Sequence, residues 1–174
     1  MFRKNKMHIM LALLTIGWLC IEPGQRLAYS KDRAQPAPDF VLTDIHGDTL
    51  RLSDFKGKVV LIDFWATWCP FCRSSIPILK SLYDEYKDKG LVIIGIALEY
   101  DQGQTLKRFA KEKQISYPLA VGTERLAAEY SAYGVPARFL INRQGEIVEN
   151  FIGFREKGIF ESAIKQLLQR CGNV

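Results

Sequence analysis

Apolar and polar residues follow two distinct patterns in the centre of this chain. Val59–Trp65 and Leu91–Leu98 are almost continuously apolar, which is typical of strands covered on both faces of a sheet. Between them, apolar residues recur every three or four positions from Pro70 to a stop at Lys89-Gly90, which predicts an amphipathic helix. Because a long helix links the two strands, we expect them to be parallel.

Shorter elements are predicted on both sides of this unit from alternating residues and turn signals. The predicted strands are Phe40–Thr43, Thr49–Leu52, Pro118–Val121, Arg138–Asn142 and Ile147–Ile152, and the predicted helices are Thr105–Lys113, Glu124–Tyr133 and Ile159–Leu168. This order predicts an α/β fold with a mixed central sheet, helices on both faces and an amino-terminal β-hairpin.

Residues 1–30 have the pattern of an export leader. Basic residues precede an apolar stretch, residues 7–21, whose length of about 15 residues suits a signal peptide better than a membrane span. The leader is predicted to be a signal peptide or a membrane anchor, followed by a linker at residues 31–38 and a domain at residues 39–171. The domain is therefore expected in the periplasm or on the outer face of a membrane, secreted or anchored by residues 7–21.

Composition limits the possible function classes. The chain has 174 residues, of which 48% are hydrophobic and 25% charged, as expected for one globular domain with short appendages. The leader holds four basic residues and one acidic residue, so it contributes +3 of the formal net charge of +5. Because the basic excess lies mostly in the leader, the charge does not indicate a nucleic-acid partner.

Two of the four cysteines form a C-x-x-C pair, Cys69 and Cys72, while Cys20 lies in the leader and Cys171 near the end. One such pair indicates a chemical site rather than a disulfide scaffold. The pair opens a predicted helix, where free N–H groups and the helix dipole favour a thiolate at the first cysteine. Cys69 is therefore the predicted nucleophile, and Cys72, one turn further inside, the predicted resolving cysteine.

Asp63 to Cys72 resembles the active-site segment of thioredoxins, and the longer pattern is similar to the TlpA/ResA/CcmG-like family of exported thioredoxin relatives. Ala37–Phe40 with its hairpin, and Tyr130–Pro136 running into Phe139–Asn142, also carry the resemblance. It covers approximately residues 36–170 of the chain. It implies a thioredoxin-like fold and a thiol–disulfide oxidoreductase.

The resemblance also implies roles for residues outside the cysteine pair. Asp63 would accept a proton from the resolving cysteine, with a pKa raised by desolvation. Pro136 is expected to be a cis proline, so that Val135 can pair with a bound peptide. Trp68 is expected beside the site, and Phe71 is expected to offer an apolar contact to a partner.

Some residues depart from the family pattern or have no role implied by it. Asp63 stands where many exported relatives carry a neutral amide, and Arg138 stands where relatives commonly carry a threonine. Arg138 is expected to be a solvated strand residue, with stabilisation of a nearby thiolate or selection of an acidic partner as the alternatives. Glu99 is expected to be a solvated loop acid, with redox tuning as the alternative. Cys171 is expected to be a peripheral thiol, with intermolecular pairing as the alternative.

Family analogy favours a reductant of exported, cysteine-containing proteins, apocytochrome c among them. A membrane thiol protein would supply the electrons, and the enzyme would be a monomer without a cofactor or metal. An oxidant of exported proteins is one alternative, and a non-enzymatic metal-binding or assembly protein is another.

The chain has one C-x-x-C pair and no histidine after His46, whereas a closed zinc site has four ligands. A peroxiredoxin is disfavoured because Ile62 and Ala66 stand where that motif needs Pro and Thr or Ser.

Overall fold

A computed structural model describes residues 34–101 and 103–169 of the chain. Within those residues it contains eight strands and four α-helices. The strands are β1 (Gln35–Pro36), β2 (Val41–Thr43), β3 (Thr49–Arg51), β4 (Val59–Trp65), β5 (Leu91–Ala97), β6 (Leu119–Val121), β7 (Ala137–Ile141) and β8 (Glu146–Ile152). The helices are α1 (Pro70–Tyr86), α2 (Gln104–Lys113), α3 (Glu124–Glu129) and α4 (Lys157–Gln169).

Six of the strands form one mixed sheet in the order β1-β8-β7-β4-β5-β6. The β4–β5 and β5–β6 pairs are parallel, whereas β7 runs antiparallel to both β4 and β8. Strands β2 and β3 form a separate hairpin. The predicted parallel pair, the amino-terminal hairpin and the mixed α/β sheet of a thioredoxin-like fold are therefore confirmed.

Alternate residues of β4 enter two hydrophobic clusters on opposite faces of the sheet. Leu61 belongs to the cluster that includes residues of α1, α2 and α4. Ile62 belongs to the other cluster, which includes residues of the hairpin and of α3. Because the side-chain period of a strand is two, Asp63 shares the face of Leu61, the face that α1 covers. The sheet thus places this acid beneath the helix that carries the cysteine pair.

The structure moves several predicted boundaries. Helix α1 ends at Tyr86 and a 3₁₀ turn, Lys87–Lys89, precedes Gly90, whose left-handed backbone (φ 101°) ends the helical stretch. Helix α3 is shorter than predicted, and Ser131 after it has a φ of 58° that no helix accommodates. Part of the predicted linker, Gln35–Pro36, pairs with β8 as an edge strand.

The leader, residues 1–30, and Cys171 lie outside the described residues, so the predictions made for them stay predictions. Within residues 34–101 and 103–169, no helix combines the length and the apolar composition that a membrane crossing requires.

Candidate active site

Cys69 and Cys72 form a disulfide at the amino terminus of α1, with their Cα atoms 5.2 Å apart. Cys69 is the N-cap residue, Pro70 occupies the first turn, where its missing N–H is no loss, and the Cys72 N–H donates to Cys69 Sγ at 3.2 Å. Both cysteines are buried, at 3% and 1% exposure. Their exposure differs little, so the helix position is what distinguishes the two sulfurs.

A loop from another part of the chain reaches the disulfide. The Val135–Pro136 peptide bond is cis, as the family resemblance implies. The Val135 carbonyl oxygen lies 3.8 Å from Cys69 Sγ. Val135 is half-buried and Pro136 is buried. The structure therefore brings three predicted site residues, Cys69, Val135 and Pro136, into one place.

Exposed aromatic side chains surround the cysteine pair. Trp68 is 56% exposed and Phe71 is 65% exposed, although most large apolar residues of the domain are buried. Beside the pair, a cleft of about 550 Å³ is lined by Trp68, Val135, Tyr133 and Glu99, among others. Exposed aromatic side chains and an open cleft thus lie beside the disulfide.

Asp63 and Arg138 form an ion pair inside the domain. They lie directly opposite each other on the antiparallel strands β4 and β7, and they are 2% and 0% exposed. Arg138 Nε lies 2.9 Å from Asp63 Oδ1. Burial raises the pKa of Asp63, and the positive charge of Arg138 partly offsets that effect.

The expectation that Arg138 is solvated is wrong. Local sequence suggests solvation because a charge in a strand is usually placed on an exposed face. The register of β7 instead places Arg138 opposite the one buried acid of β4. An acid within a buried strand predicts that a cation lies nearby, but the sequence does not identify that cation.

Glu99 is not a solvated loop acid either. It is half-buried, and its Oε1 accepts a hydrogen bond of 2.6 Å from the backbone N–H of Thr67. Thr67 lies two residues before Cys69, so Glu99 holds the loop that leads into the active-site helix. The sequence did contain a signal for this contact. Thr67 and Glu99 each follow the carboxyl end of a buried strand, and the carboxyl ends of the parallel strands β4 and β5 meet at one edge of the sheet.

In the described part of the chain, no three His, Cys, Asp or Glu side chains are grouped as ligands for a metal ion. The chemistry that the arrangement offers is that of the two sulfurs, a buried carboxyl group and the backbone of a neighbouring loop.

Comparisons with known proteins agree with this chemistry. A model of the AhpC/TSA family matches residues 34–150. The thiol-disulfide oxidoreductase ResA of Bacillus cereus strain ZK is 34% identical over 173 residues, which cover 95% of this chain and 98% of that protein.

Solved structures with the same fold include a thiol:disulfide interchange protein of the thioredoxin family from Chlorobium tepidum TLS. It has a TM-score of 0.71 and 31% identity, covering 78% of this chain and 97% of that one. The exposed lipoprotein thioredoxin Etrx1 of Streptococcus pneumoniae strain TIGR4 has a TM-score of 0.66 and 30% identity, covering 75% of this chain and 100% of that one.

Proposed function

Because the chain belongs to the TlpA/ResA/CcmG-like thiol–disulfide oxidoreductases, within the AhpC/TSA family, we propose that it reduces disulfides of exported proteins through Cys69 and Cys72. The observation that carries the proposal is the Cys69–Cys72 disulfide at the start of α1, with the Val135 carbonyl 3.8 Å from Cys69 Sγ. This geometry supports a cysteine that attacks and a neighbouring backbone that holds the partner.

The reaction begins with the reduced enzyme. The Cys69 thiolate attacks one sulfur of a substrate disulfide, and the other substrate sulfur leaves with the bonding electron pair and takes up a proton. The Cys72 thiol then gives its proton to Asp63 and attacks Cys69 Sγ. The Cys69–substrate bond breaks, the second substrate sulfur leaves as a thiolate, and Cys69–Cys72 is oxidised.

The position of each group supports these roles. Cys69 caps a helix of 17 residues, where the helix dipole and free N–H groups stabilise a thiolate. Cys72 lies inside the first turn and is buried, which disfavours its thiolate unless a base takes the proton. Asp63 shares the sheet face that α1 covers, and its raised pKa suits a group that takes up and later releases a proton.

Substrate binding involves the exposed rim and the cis-proline loop. Trp68 and Phe71 would pack against apolar side chains that flank the substrate cysteine. Val135, next to Pro136, would pair with the extended substrate backbone by strand addition. Because main-chain pairing does not depend on the substrate's side chains, the enzyme is expected to bind more than one cysteine-containing partner.

The proposed partners follow from an extracytoplasmic location. Exported proteins with cysteines, apocytochrome c among them, would be substrates, and a membrane thiol protein would return electrons to Cys69–Cys72. Both the basic-then-apolar leader and the match over 95% of the chain to ResA support this setting. Oxidation of exported proteins is the alternative, since the same two sulfurs perform the reverse exchange.

Trapping is the test of the proposal. The Cys72→Ala variant cannot resolve the mixed disulfide, so partners should accumulate bound to Cys69 and be identifiable by mass spectrometry after release with a reductant. The Cys69→Ala/Cys72→Ala variant is the control and should trap nothing. If the single variant captures no thiol partner from its own compartment, the proposal is wrong.

The reduction potential separates the two directions of exchange. A reductant is expected to lie nearer to about −270 mV, the value of thioredoxin, than to about −120 mV, that of a strong oxidant. Equilibration with glutathione buffers, followed by thiol alkylation, measures it. A value near that of the strong oxidant would reverse the proposed direction while leaving the chemistry intact.

A further inference from the structure

Arg138 is a fully buried cation in the middle of the sheet. Its exposure is 0%, and that of its partner Asp63 is 2%. Arginine is almost never fully buried unless it is paired. A buried ion pair is at the same time a weak source of stability, because the desolvation of both charges offsets their attraction. The pair therefore points to a function beyond holding the fold together.

The sheet register determines which groups flank Asp63. Arg138 lies directly opposite it on β7, and Gly95 lies opposite it on β5. Gly95 contributes no side chain, and a Cβ atom there would clash with the Leu119 side chain and lie 3.0 Å from Trp65 Nε1 and 3.3 Å from Tyr117 Cε2. Apolar side chains thus fill the space on the β5 side of Asp63, and the cation lies on the β7 side.

The contact between the two charges is close but not aligned. Arg138 Nε is 2.9 Å from Asp63 Oδ1, yet its N–H does not point at the oxygen as a hydrogen bond requires. Arg138 is held in place by other contacts, since its Nη1 donates to the Gly153 carbonyl at 3.3 Å and its guanidinium lies 5.3 Å from the Phe160 ring. The Asp63 carboxyl group therefore lies in direct contact with a fixed positive charge.

Other titratable groups near Asp63 come from two further elements. Tyr117, just before β6, is buried, and desolvation followed by the charge of Asp63 raises its pKa, so it stays neutral and does not compete for the proton. Cys69 and Cys72 of α1 belong to the same hydrophobic cluster as Tyr117. Arg138 of β7 is the charged group that acts on Asp63 within the described residues.

We propose that Arg138 is a positioning residue for the resolving step: its guanidinium favours the carboxylate form of Asp63, the form that can take the proton of Cys72. This inference rests on the proposed function, in which Asp63 accepts that proton. Proton transfer converts the Cys72 thiol and the Asp63 carboxylate into a thiolate and a carboxylic acid, and Arg138 keeps its charge throughout. The strand that follows the cis-proline loop thus also carries the cation behind the disulfide.

The two thiol steps can be followed in one reaction. The full chain, with Cys20→Ser and Cys171→Ser, is reduced and mixed with 5,5′-dithiobis(2-nitrobenzoate). Attack by Cys69 releases one thionitrobenzoate and leaves the other as a mixed disulfide on Cys69. Attack by Cys72 on Cys69 Sγ releases the second. The first phase reports on the nucleophile, and the second phase reports on the resolving step.

Removing the positive charge should affect the second phase alone. In Arg138→Gln, which keeps a donor for the Gly153 carbonyl, and in Arg138→Met, the pH midpoint of the second phase should rise by about one unit or more. Near neutral pH the second phase should then be about tenfold slower and recover at higher pH. The first phase should change by less than about twofold, and Arg138→Lys, which keeps a cation, should retain most of the rate.

A double-mutant cycle with Asp63→Asn distinguishes an effect of Arg138 through Asp63 from a direct effect of Arg138 on the Cys72 thiol. In the Asp63→Asn background the second phase should be slow, and adding Arg138→Gln should not move the pH profile of that phase. A further shift there would mean that Arg138 acts on Cys72 directly, which overturns the proposal. An unchanged or lowered midpoint in Arg138→Gln, or equal slowing of both phases at every pH, would overturn it as well.

The proposed function fails in a different way. If the parent protein released no second equivalent, or if Cys72→Ser still released it, the two-cysteine mechanism itself would be wrong regardless of Arg138. The Asp63→Asn/Arg138→Met variant, which has no buried charge at either position, provides the check that altered kinetics do not come from a failure to fold.

Discussion

At the scale of single residues, the cysteine pair is distinguished by helix position rather than by exposure. Cys69 caps α1 and Cys72 lies inside its first turn, yet both are almost fully buried in the disulfide. The helix dipole and the free N–H groups stabilise a thiolate at the first sulfur, and this effect falls off within one turn. The proposed division of labour between the two sulfurs thus rests on the electrostatics of the helix end.

Alkylation of the reduced protein tests that division. Near neutral pH, iodoacetamide should label Cys69 at least about tenfold faster than Cys72, because only the thiolate reacts and the helix end favours it at Cys69. Peptide mass spectrometry over a time course gives the two rates, and labelling of the urea-unfolded chain is the control in which the two should be similar. Faster labelling of Cys72 would reverse the assignment and remove the role given to Asp63.

Glu99 offers a second prediction at this scale. Its carboxylate accepts the Thr67 N–H at 2.6 Å in a half-buried position, so Glu99→Ala should lower the free energy of unfolding by about 1.5–3 kcal/mol. Glu99→Gln, which keeps a neutral acceptor, should lose less. Urea denaturation measures both. Glu149→Ala, at an exposed position of β8, should change stability by less than about 0.5 kcal/mol, and an equal effect at the two sites would contradict the assignment.

At the scale of secondary-structure elements, the central strands carry both the core and the site. Strand β4 is buried along its whole length and places Asp63 under α1, and β7 supplies Arg138 from the other side. On β5, a glycine is required opposite Asp63 because Leu119, Trp65 and Tyr117 fill that space. Close packing of these side chains, rather than backbone flexibility, accounts for Gly95.

Gly95→Ala should therefore destabilise the domain by about 1–3 kcal/mol, the range for overpacking a filled core. The added Cβ would meet Leu119, Trp65 and Tyr117. Gly158→Ala is the matched control, because that glycine lies in α4 with no atom within 4 Å of a Cβ, and alanine there should be neutral or stabilising. Chemical denaturation compares the two, and a neutral Gly95→Ala would mean that Leu119 and the neighbouring rings shift at little cost.

At the scale of the whole molecule, the buried acid links folding to pH. The folded-state pKa of Asp63 is raised, chiefly by burial, above the value of about 3.9 in unfolded chains. A raised carboxyl pKa means that the folded state binds the proton more tightly. Its contribution to stability is fully present below the unfolded pKa and is lost as the pH rises through the folded pKa.

The oxidised protein should therefore lose stability relative to Asp63→Asn as the pH rises from about 4 towards neutral. Urea denaturation at a series of pH values measures the difference, which the charge of Arg138 reduces because it favours the ionised form of Asp63. Asp101→Asn should give an effect of opposite sign and at lower pH. Hydrogen bonds from Thr105 lower the pKa of Asp101, so its contribution is present above about pH 4 and is lost as the pH falls through the lowered pKa. Parallel curves for the parent and Asp63→Asn would contradict the shift.

Local sequence pattern was sufficient to predict the framework of the domain and the cysteine pair. Continuous apolar runs mark strands covered on both faces, and a helical period between them requires a parallel pair, so β4, α1 and β5 were predictable from local pattern. The cysteine pair was predictable because both sulfurs lie within one helical turn. Pro136 followed from the family resemblance, and the cis bond agrees with it.

The groups that surround the cysteine pair depend on strand pairing, which local sequence pattern does not reveal. Arg138 contacts Asp63 because β7 pairs with β4 in one register, and Glu99 holds Thr67 because β4 and β5 end at the same edge of the sheet. Both contacts join residues far apart in the chain, and a shift of one position in a strand would turn Arg138 to the opposite face. Hydrophobic periodicity says that a face is buried, but strand pairing determines which charge is buried beside which.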